Sequence, residues 1–596
     1  MSPRLQLLFS VAPTKELLAL QSLAEFLGVP CDLSDIQNVG AQPGARHLIG
    51  ACVLDVASAA GADETRISPD EVTAIVARAE PILFLVTRPD ERCRSLVQHL
   101  TDRLVTSVVL AENAATVRFT SNSSKFCHEL ASQSFSRHNR TALHLVTCPD
   151  FPCTPIMEVG DGVSFLAWSS GSRVRFMWST PCVLDTSVPL DRESDFEGAL
   201  DSVLPFVIFL RWVFPDSCWH NPDRTAGFVI DDPLLTPQYG FIDFPELLAS
   251  ARENAYHVTL AFIPWNARRT RERHAALFRQ YSDVFGLCVH GCDHNSNEYG
   301  SADYDLLRHK NRIALARMDR HAERVGLPYA PLFVCPQEQC SIEAWRALAA
   351  DGRLLGMVNT GCLPRNVANT RVCATDLLLP AQDAVFGFPV FKRHYSGSFS
   401  QFALALFLGR PAILVEHHEF FRNGLDGIEA FARNLRQVCP TVRWSSLHET
   451  TTTTHLRRRE SDTSTAIRFF TNRFRFDSTK DSSQIFRLRK RIHEPSSVRR
   501  VLVDGVEVPF AFESEFLTLE VVSTQPRFHQ IEVEIAPAPR RMVYSFGLRY
   551  QSGVAIRRLL SEMRDNVLSK HRRSAALAKK LADTLHLSAS TAGHRP

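Results

Sequence analysis

The stretch Gly-Phe-Val-Ile-Asp-Asp-Pro at 227–233 indicates a buried strand that ends in two adjacent carboxylates, Asp231 and Asp232. Its apolar run is continuous, as expected for a parallel strand that is covered on both faces. Similar runs recur along residues 223–443, separated by stretches with helical patterning. Repeated strand–helix units over this length predict a (β/α) barrel, complete or incomplete. The predicted strands are 227–232, 258–265, 285–290, 332–336, 355–359 and 412–418.

Two other apolar runs of this region also end in polar side chains. Gly-Leu-Cys-Val reaches His290, with His294 four residues further on, and Ala-Ile-Leu-Val-Glu is followed by His417 and His418. The active sites of parallel barrels lie where the strands end, in the loops that follow them. We therefore expect these imidazoles to meet the aspartate pair at one rim of the barrel.

The residue types at this predicted rim suit a metal site. Two imidazoles and one carboxylate form a three-ligand set that leaves coordination positions open for water and substrate. A second carboxylate beside the first can accept a proton from water that the metal activates. Taken singly, an Asp-Asp pair, a His-x-x-x-His spacing or a His-His pair is more often structural. Their joint placement at three strand ends favours the metal site.

This pattern resembles the NodB-homology polysaccharide deacetylases, a family of metal-dependent carbohydrate esterases. The resemblance covers about 223–443. The first family motif, a strand ending in Asp-Asp, is matched at 228–232, which implies Asp231 as general base and Asp232 as metal ligand. The second, His-Ser/Thr-x-x-His, is matched at 290–294 and implies His290 and His294 as ligands. The last, Leu-x-x-His, is matched at 414–417 and implies His417 as general acid, with His418 as the alternative if the register differs by one.

The sequence departs from the family pattern in three places. Gly291 stands where the second motif has Ser or Thr. The third motif, Arg-x-Pro-x-Gly, is represented at 334–338 only by Val-Cys-Pro-Gln-Glu, without its Arg and Gly. The fourth, which carries an Asp and a Trp, has no clear counterpart near 357–361. In the family the missing Arg orients the base; Arg393 is a candidate replacement from another loop, with a plain surface residue as the alternative.

The resemblance implies a metal-dependent hydrolase that removes acetyl groups from an acetylated carbohydrate, with Zn²⁺ as the first choice of metal and Co, Ni or Mn as alternatives. Two other functions stay open: hydrolysis of a non-sugar amide, and a non-catalytic carbohydrate-binding or assembly protein with a degraded site. The residues predicted to contact the substrate are Trp265, Asn266, Asn295, Tyr299 and Pro336. For Trp265, packing in the protein core is the alternative.

The flanking regions predict three further units. Residues 1–215 alternate strands and helices, which predicts an α/β layer domain with a mainly parallel sheet. Residues 445–540 begin with a polar, linker-like stretch and continue with short alternating segments and an Asp-Gly turn at 504–505, which predicts a β-sandwich-like domain. The tail, 541–596, is predicted to be helical and basic. A solvated helix docked on another domain is one interpretation of the tail, and contact with an anionic partner is the other.

Composition excludes some classes of protein. The chain has 596 residues, 45% of them hydrophobic and 22% charged, and a net charge of +3, so neither nucleic acid nor a membrane is indicated as an obligatory partner. No run of eighteen apolar residues predicts a membrane span, and the start lacks the pattern of a secretory signal. The 15 cysteines are scattered, without a Cys-x-x-Cys pair. We therefore expect reduced thiols and a cytoplasmic protein.

Overall fold

The computed structural model describes residues 4–10, 12–40, 51–61, 68–364, 372–480, 483–523, 525, 527–536 and 546–570. The fold class predicted from the sequence is confirmed. An α/β domain precedes a central (β/α) barrel, and a β-rich domain and a terminal helix follow the barrel. Among the described residues, no helix is long and apolar enough to cross a membrane.

The first domain is built on one nine-stranded sheet with helices packed against it. Five adjacent strands are parallel, and the next four continue the sheet in antiparallel fashion. In spatial order the strands are Cys31–Asp35, Leu5–Phe9, Cys52–Asp55, Ile82–Val86, Arg173–Ser179, Gly162–Ser170, Thr154–Val159, Thr116–Phe119 and Ser134–Ser136. The helices are Lys15–Phe26, Ile36–Gly40, Val56–Gly61, Pro69–Val76, Glu91–Leu100, Ser124–Cys127, Glu193–Glu197 and Leu204–Val213.

The prediction of a mainly parallel sheet is therefore correct for only half of it. The antiparallel half turns at Gly160 and Gly171, whose positive φ angles of 61° and 65° allow tight connections between neighbouring strands. Two further strands of this domain, Val105–Ala111 and Ala142–Thr147, lie outside the main sheet and pair with each other in a separate antiparallel ribbon.

The central region forms a closed barrel of seven parallel strands. An eighth, short strand, Arg443–Trp444, adds outside the barrel to the first strand. The barrel strands, numbered here in chain order, are β1 Thr225–Asp231, β2 Val258–Phe262, β3 Phe285–His290, β4 Ala330–Val334, β5 Gly356–Asn359, β6 Val390–His394 and β7 Ala412–Glu416. The helices around it are Phe244–Glu253, Glu272–Gln280, Tyr304–Val325, Ile342–Ala349, Phe399–Phe407 and Asp426–Val438.

One of these strands, β6, was not among the predicted strands. Its sequence, Val-Phe-Lys-Arg-His, breaks the apolar pattern with three basic or titratable residues. Two of them are nevertheless buried, Lys392 against acidic side chains of the first domain and Arg393 inside the barrel. Buried ion pairs thus replace the apolar contacts that identify the other strands.

The third domain packs a five-stranded sheet against a four-stranded sheet around an apolar core. Its predicted hairpin turn is present, since Asp504 and Gly505 both have positive φ and connect two paired strands. The strands of the first sheet are His455–Arg459, Ser464–Phe469, Ile485–Arg491, Ala511–Glu513 and Phe516–Val522, and those of the second are Arg473–Asp477, Val498–Val503, Val506–Val508 and Phe528–Ile535.

The predicted polar linker at the start of this domain is wrong. Residues 447–453 form a helix, Leu447–Thr453, and three of its threonines are buried. Two of the three hydroxyls donate to carbonyls one turn earlier, Thr451 to Leu447 at 2.8 Å and Thr452 to His448 at 2.7 Å, and the third, of Thr450, pairs with the hydroxyl of Ser445 at 2.8 Å. A threonine that satisfies its own hydroxyl in this way can be buried in a helix.

The chain ends, among the described residues, with the helix Leu548–Asn566 and a short 3₁₀ turn, Leu568–Lys570. We call Leu548–Asn566 the terminal helix. The rest of the predicted basic tail, 541–545 and 571–596, lies outside the described residues.

Candidate metal and hydrolase site

The predicted functional side chains lie at the carboxyl end of the barrel. Asp231 is the last residue of β1, His290 is the last residue of β3, and His417 follows the end of β7. In the sheet, Asp231 is level with Ala261 of β2, and the residue before it is level with Glu416 of β7. Because these strands are parallel neighbours in a closed barrel, their ends deliver the side chains to one rim.

Asp232, His290 and His294 come together in one cluster. Asp232 Oδ1 lies 3.4 Å from His290 Nε2 and 3.2 Å from His294 Nε2, and one ligand atom from each residue lies within 4.8 Å of the other two. Ligand bonds of about 2.1 Å in a tetrahedral zinc site separate neighbouring donor atoms by about 3.4 Å. Asp232 Oδ1 is also buried without a hydrogen-bond donor among the described residues. The donor set therefore fits a shared cation.

The charges of the cluster depend on burial and on each other. Burial would raise the pKa of Asp232, but the two imidazoles and Arg558 outweigh it and hold that pKa well below its usual range. Burial is the main cause that lowers the pKa of His294 to about 3, so its ring is neutral and can bind a metal at ordinary pH. Burial would also lower the pKa of His290, but the neighbouring carboxylates Asp231 and Asp232 raise it.

Backbone and second-layer contacts hold the two histidines in place. His290 Nδ1 donates to the carbonyl of Val334 at 3.1 Å, which directs Nε2 towards Asp232. Asp232 and His294 both have left-handed backbones, with φ of 77° and 54°. Such conformations are uncommon for residues other than glycine and persist where the surroundings enforce them.

Glu298 enforces the conformation of the loop that carries His294. Its carboxylate accepts the backbone N–H groups of Cys292, Asp293 and His294 at 3.1, 3.0 and 3.0 Å. Lys310 donates to the same carboxylate at 3.0 Å. Sequence reasoning did not identify Glu298, although its place four residues after His294 was an available signal.

The glycine that departs from the family motif has a structural reason. Gly291 has a φ of 62°, and a Cβ added there would lie 2.4 Å from Pro336 Cγ and 2.7 Å from a carboxylate oxygen of Glu298. A serine or threonine at this position would collide with both neighbours. The close contact also places Pro336, one of the predicted substrate residues, directly against the histidine loop.

Arg393 pairs with Asp231. Its Nη1 and Nη2 donate to the two carboxylate oxygens at 2.8 Å each, and the pair is buried, with 1% and 4% of the side chains exposed. Arg393 is therefore not a surface residue. Burial opposes ionisation of Asp231, but Arg393, His290 and His417 outweigh it and lower the pKa of that carboxyl. Asp231 is thus held ionised and oriented beside the cluster.

The structure distinguishes the two adjacent histidines. His417 is partly exposed, its ring stacks with that of Tyr395 at 6.3 Å, and its charge contributes to the lowered pKa of Asp231. His418 is buried and its Nε2 lies 3.4 Å from Asp565 of the terminal helix. The charge of His417 therefore acts on Asp231, whereas His418 joins the barrel to the terminal helix.

The other predicted substrate residues have different positions. Trp265 is half-buried, with the guanidinium of Arg317 over its ring at 5.0 Å. Asn266 is fully buried, and its amide group has no hydrogen-bond partner among the described residues. Asn295 donates to the hydroxyl of Tyr550 at 3.0 Å. Tyr299 is fully buried and donates to Asn311 at 2.8 Å, so its side chain belongs to the core and not to a surface that a sugar could reach.

The comparisons with known proteins gave matches among solved structures only. No protein-family model matches the sequence, and no curated protein matches it. The chain is similar to the crystal structure of Agd3, a carbohydrate deacetylase, with a TM-score of 0.44, 12% identity and coverage of 90% of this chain and 99% of that one. It is similar to a family 4 carbohydrate esterase from Streptomyces lividans in complex with acetate, with a TM-score of 0.24, 16% identity and coverage of 37% and 91%.

A third similar structure is the Xyl-CE4 domain of a multidomain xylanase from the hindgut metagenome of Trinervitermes trinervoides. Its TM-score is 0.23, its identity is 12%, and the match covers 38% of this chain and 89% of that one. Of these three structures, Agd3 spans the largest share of this chain.

Proposed function

We propose that this chain is a metal-dependent hydrolase that removes acetyl groups from an acetylated carbohydrate. The observation that carries the proposal is the Asp232, His290 and His294 cluster, whose Asp–His separations of 3.4 and 3.2 Å are those of donors to one cation. The acetyl-sugar part of the proposal rests on the sequence resemblance at 228–232, 290–294 and 414–417.

Asp232, His290 and His294 would hold the cation, with Zn²⁺ as the first candidate because a carboxylate and two imidazoles suit it. A bound divalent cation would lower the pKa of a coordinated water and polarise the acetyl carbonyl. Three protein ligands would leave coordination positions open for the water and for the acetyl carbonyl oxygen.

Asp231 and His417 supply the proton transfers. Asp231, held ionised and oriented by Arg393, accepts a proton from the attacking water. The water oxygen bonds to the acetyl carbon, the bond from that carbon to the sugar nitrogen or oxygen breaks, and acetate leaves. His417 in its protonated form donates a proton to the departing amine or alcohol. The pairing with Arg393 gives Asp231 the orientation that the family's missing arginine would otherwise supply.

Acetate release tests the proposal. Protein stripped with a chelator and reloaded with Zn²⁺ or Co²⁺ is incubated with acetylated chitooligosaccharides and with acetylated xylan, and free acetate is measured. We expect release only from reloaded protein and a loss of at least 100-fold in Asp231→Asn and His417→Asn, with Asp283→Asn, an exposed carboxylate, as the unaffected control. Release that persists in Asp231→Asn, or that needs no metal, would contradict the proposal.

A non-catalytic binding protein is the second candidate. The observation that favours it is the terminal helix, which contacts the rim loops around the cluster. Tight binding of acetylated oligosaccharides by metal-loaded protein that releases no acetate from any of them would support this second function over hydrolysis.

A further inference from the structure

The terminal helix covers the rim that carries the cluster. The hydroxyl of Tyr550 donates to Asp293 at 2.7 Å and accepts from Asn295 at 3.0 Å, both in the loop after β3. Glu562 pairs with Arg269 in the segment after β2. These contacts attach the first half and the last turns of the helix to two neighbouring loops.

Two further loops hold the last turn of the terminal helix. Asp565 accepts a hydrogen bond from the hydroxyl of Tyr239, which follows β1, at 2.8 Å. The same carboxylate lies 3.4 Å from His418, which follows β7. The helix thus spans the ends of β7, β1, β2 and β3, the four adjacent strands that surround the aspartate–histidine cluster.

Arg558 lies in the middle of the face that the helix turns to the rim. Residues 550, 554, 558 and 562 follow one another at intervals of four, so they share one side of a helix. Arg558 is 3% exposed, and its Nε is buried without a hydrogen-bond acceptor. Among the described residues no carboxylate forms an ion pair with it. Its charge reaches the cluster, since it lowers the pKa of both Asp232 and His294.

A buried guanidinium without a carboxylate partner is unfavourable, because arginine cannot escape the cost by losing its proton. Arg557, half-buried beside it, adds a second positive charge that also acts on Asp232. Asp231 is already neutralised by Arg393. A divalent cation on Asp232 would leave the rim with an excess of positive charge next to Arg558.

We propose that Arg558 binds an anionic group of the substrate, a carboxylate or a sulfate or phosphate ester on the sugar next to the acetyl group that is removed. A planar guanidinium pairs with such groups through two parallel hydrogen bonds. This inference rests on the proposed function and makes the site selective for acidic acetylated oligosaccharides. Arg558 is then a specificity-determining residue, and the terminal helix forms one wall of the substrate site.

Binding of matched oligosaccharides tests this proposal with a readout other than acetate release. Isothermal titration of the Zn²⁺-loaded full chain compares chitotetraose, which is neutral, with a hyaluronan tetrasaccharide, which carries carboxylates, and with 6-O-sulfated chitotetraose. We expect at least one of the two anionic probes to bind at least 10-fold tighter than chitotetraose. Whichever binds tighter identifies the carboxylate or the ester as the preferred group.

Three variants identify the residue responsible. Arg558→Gln should abolish the preference for the anionic probe while leaving chitotetraose binding within about twofold, and Arg558→Lys should keep part of it. Arg549→Gln removes the same charge from an exposed position of the same helix and should change nothing. Zinc content and circular dichroism show that each variant is folded and loaded.

Equal binding of neutral and anionic probes by the natural protein would overturn the proposal, and so would an Arg558→Gln variant that keeps the preference. An Arg558→Gln variant that weakens all three probes alike would also overturn it, because Arg558 would then act only on the structure of the wall. A preference that is lost in Arg558→Gln although no probe releases acetate would support the anion site and contradict the hydrolase.

Discussion

Replacing Arg393 by Gln removes the partner of a carboxylate that the fold keeps buried. Asp231 and Arg393 share two hydrogen bonds of 2.8 Å, and their side chains are only 4% and 1% exposed. Breaking a buried ion pair by deleting one partner costs about 3–5 kcal/mol, because the other charge stays buried without compensation. We expect Arg393→Gln to unfold at a clearly lower temperature than the natural protein.

The pH dependence of this effect has a definite sign. The pKa of Asp231 is lowered in the folded protein, so the pair stabilises the fold above the unfolded-state pKa of about 3.9 and loses that effect as the pH falls through the lower, folded value. Without Arg393, burial is no longer outweighed by the guanidinium and the pKa of Asp231 rises. The Arg393→Gln variant should therefore approach the natural protein in stability as the pH is lowered from 7 to about 4.

Calorimetry of metal-stripped protein at pH 7 and pH 4 measures both effects, and the double variant Asp231→Asn with Arg393→Gln isolates the pair. Two neutral amides leave no buried charge, so the double variant should recover at least half of the loss in unfolding temperature. A single variant as stable as the natural protein at pH 7 would refute this reasoning. So would a double variant whose loss equals the sum of the two single losses.

Two other perturbations have outcomes that follow from the contacts. Glu298→Gln replaces the carboxylate that accepts the backbone N–H of His294 by an amide, which brings N–H groups towards that donor. The affinity for Zn²⁺, measured by competition with a chromophoric chelator, should fall about 10–100-fold. The exposed control Glu253→Gln should leave this affinity unchanged. His257 is buried, and burial lowers its pKa to about 4. Below about pH 6.5 this histidine is protonated in the unfolded chain but not in the folded one, so the free energy of unfolding falls by up to about 3 kcal/mol between pH 6.5 and about pH 4. Urea unfolding of His257→Gln should show a smaller fall over the same pH range.

Much of the barrel could be predicted because its strands have continuous apolar runs. Six of the seven were expected from that pattern, and the polar residues that end β1, β3 and β7 indicated the rim. β6 could not be found in the same way, because its ion pairs with distant residues stabilise it and only the folded chain shows them. For the same reason Arg393 was only one candidate in the sequence, and the structure was needed to show that it is the buried partner of Asp231.

The terminal helix shows a different limit. Its basic residues suggested a solvated helix or an anionic partner, and the pattern of its apolar residues would favour burial of Ile556, Leu559 and Met563. In the structure these three are 59%, 64% and 49% exposed, whereas the polar face lies on the rim. The contacts that decide this orientation join residues about 150 to 330 positions apart in the chain, such as Tyr239 and Asp565. Helical periodicity contains no information about such pairs.

The metal content of the purified full chain tests the central claim most directly. After dialysis against buffer with Zn²⁺ and removal of loosely bound ions, mass spectrometry of the metal should give one equivalent per chain, and His294→Gln and Asp232→Asn should each retain far less than one. A natural chain that retains no divalent metal, or variants that keep the full equivalent, would contradict the assignment of Asp232, His290 and His294 as ligands.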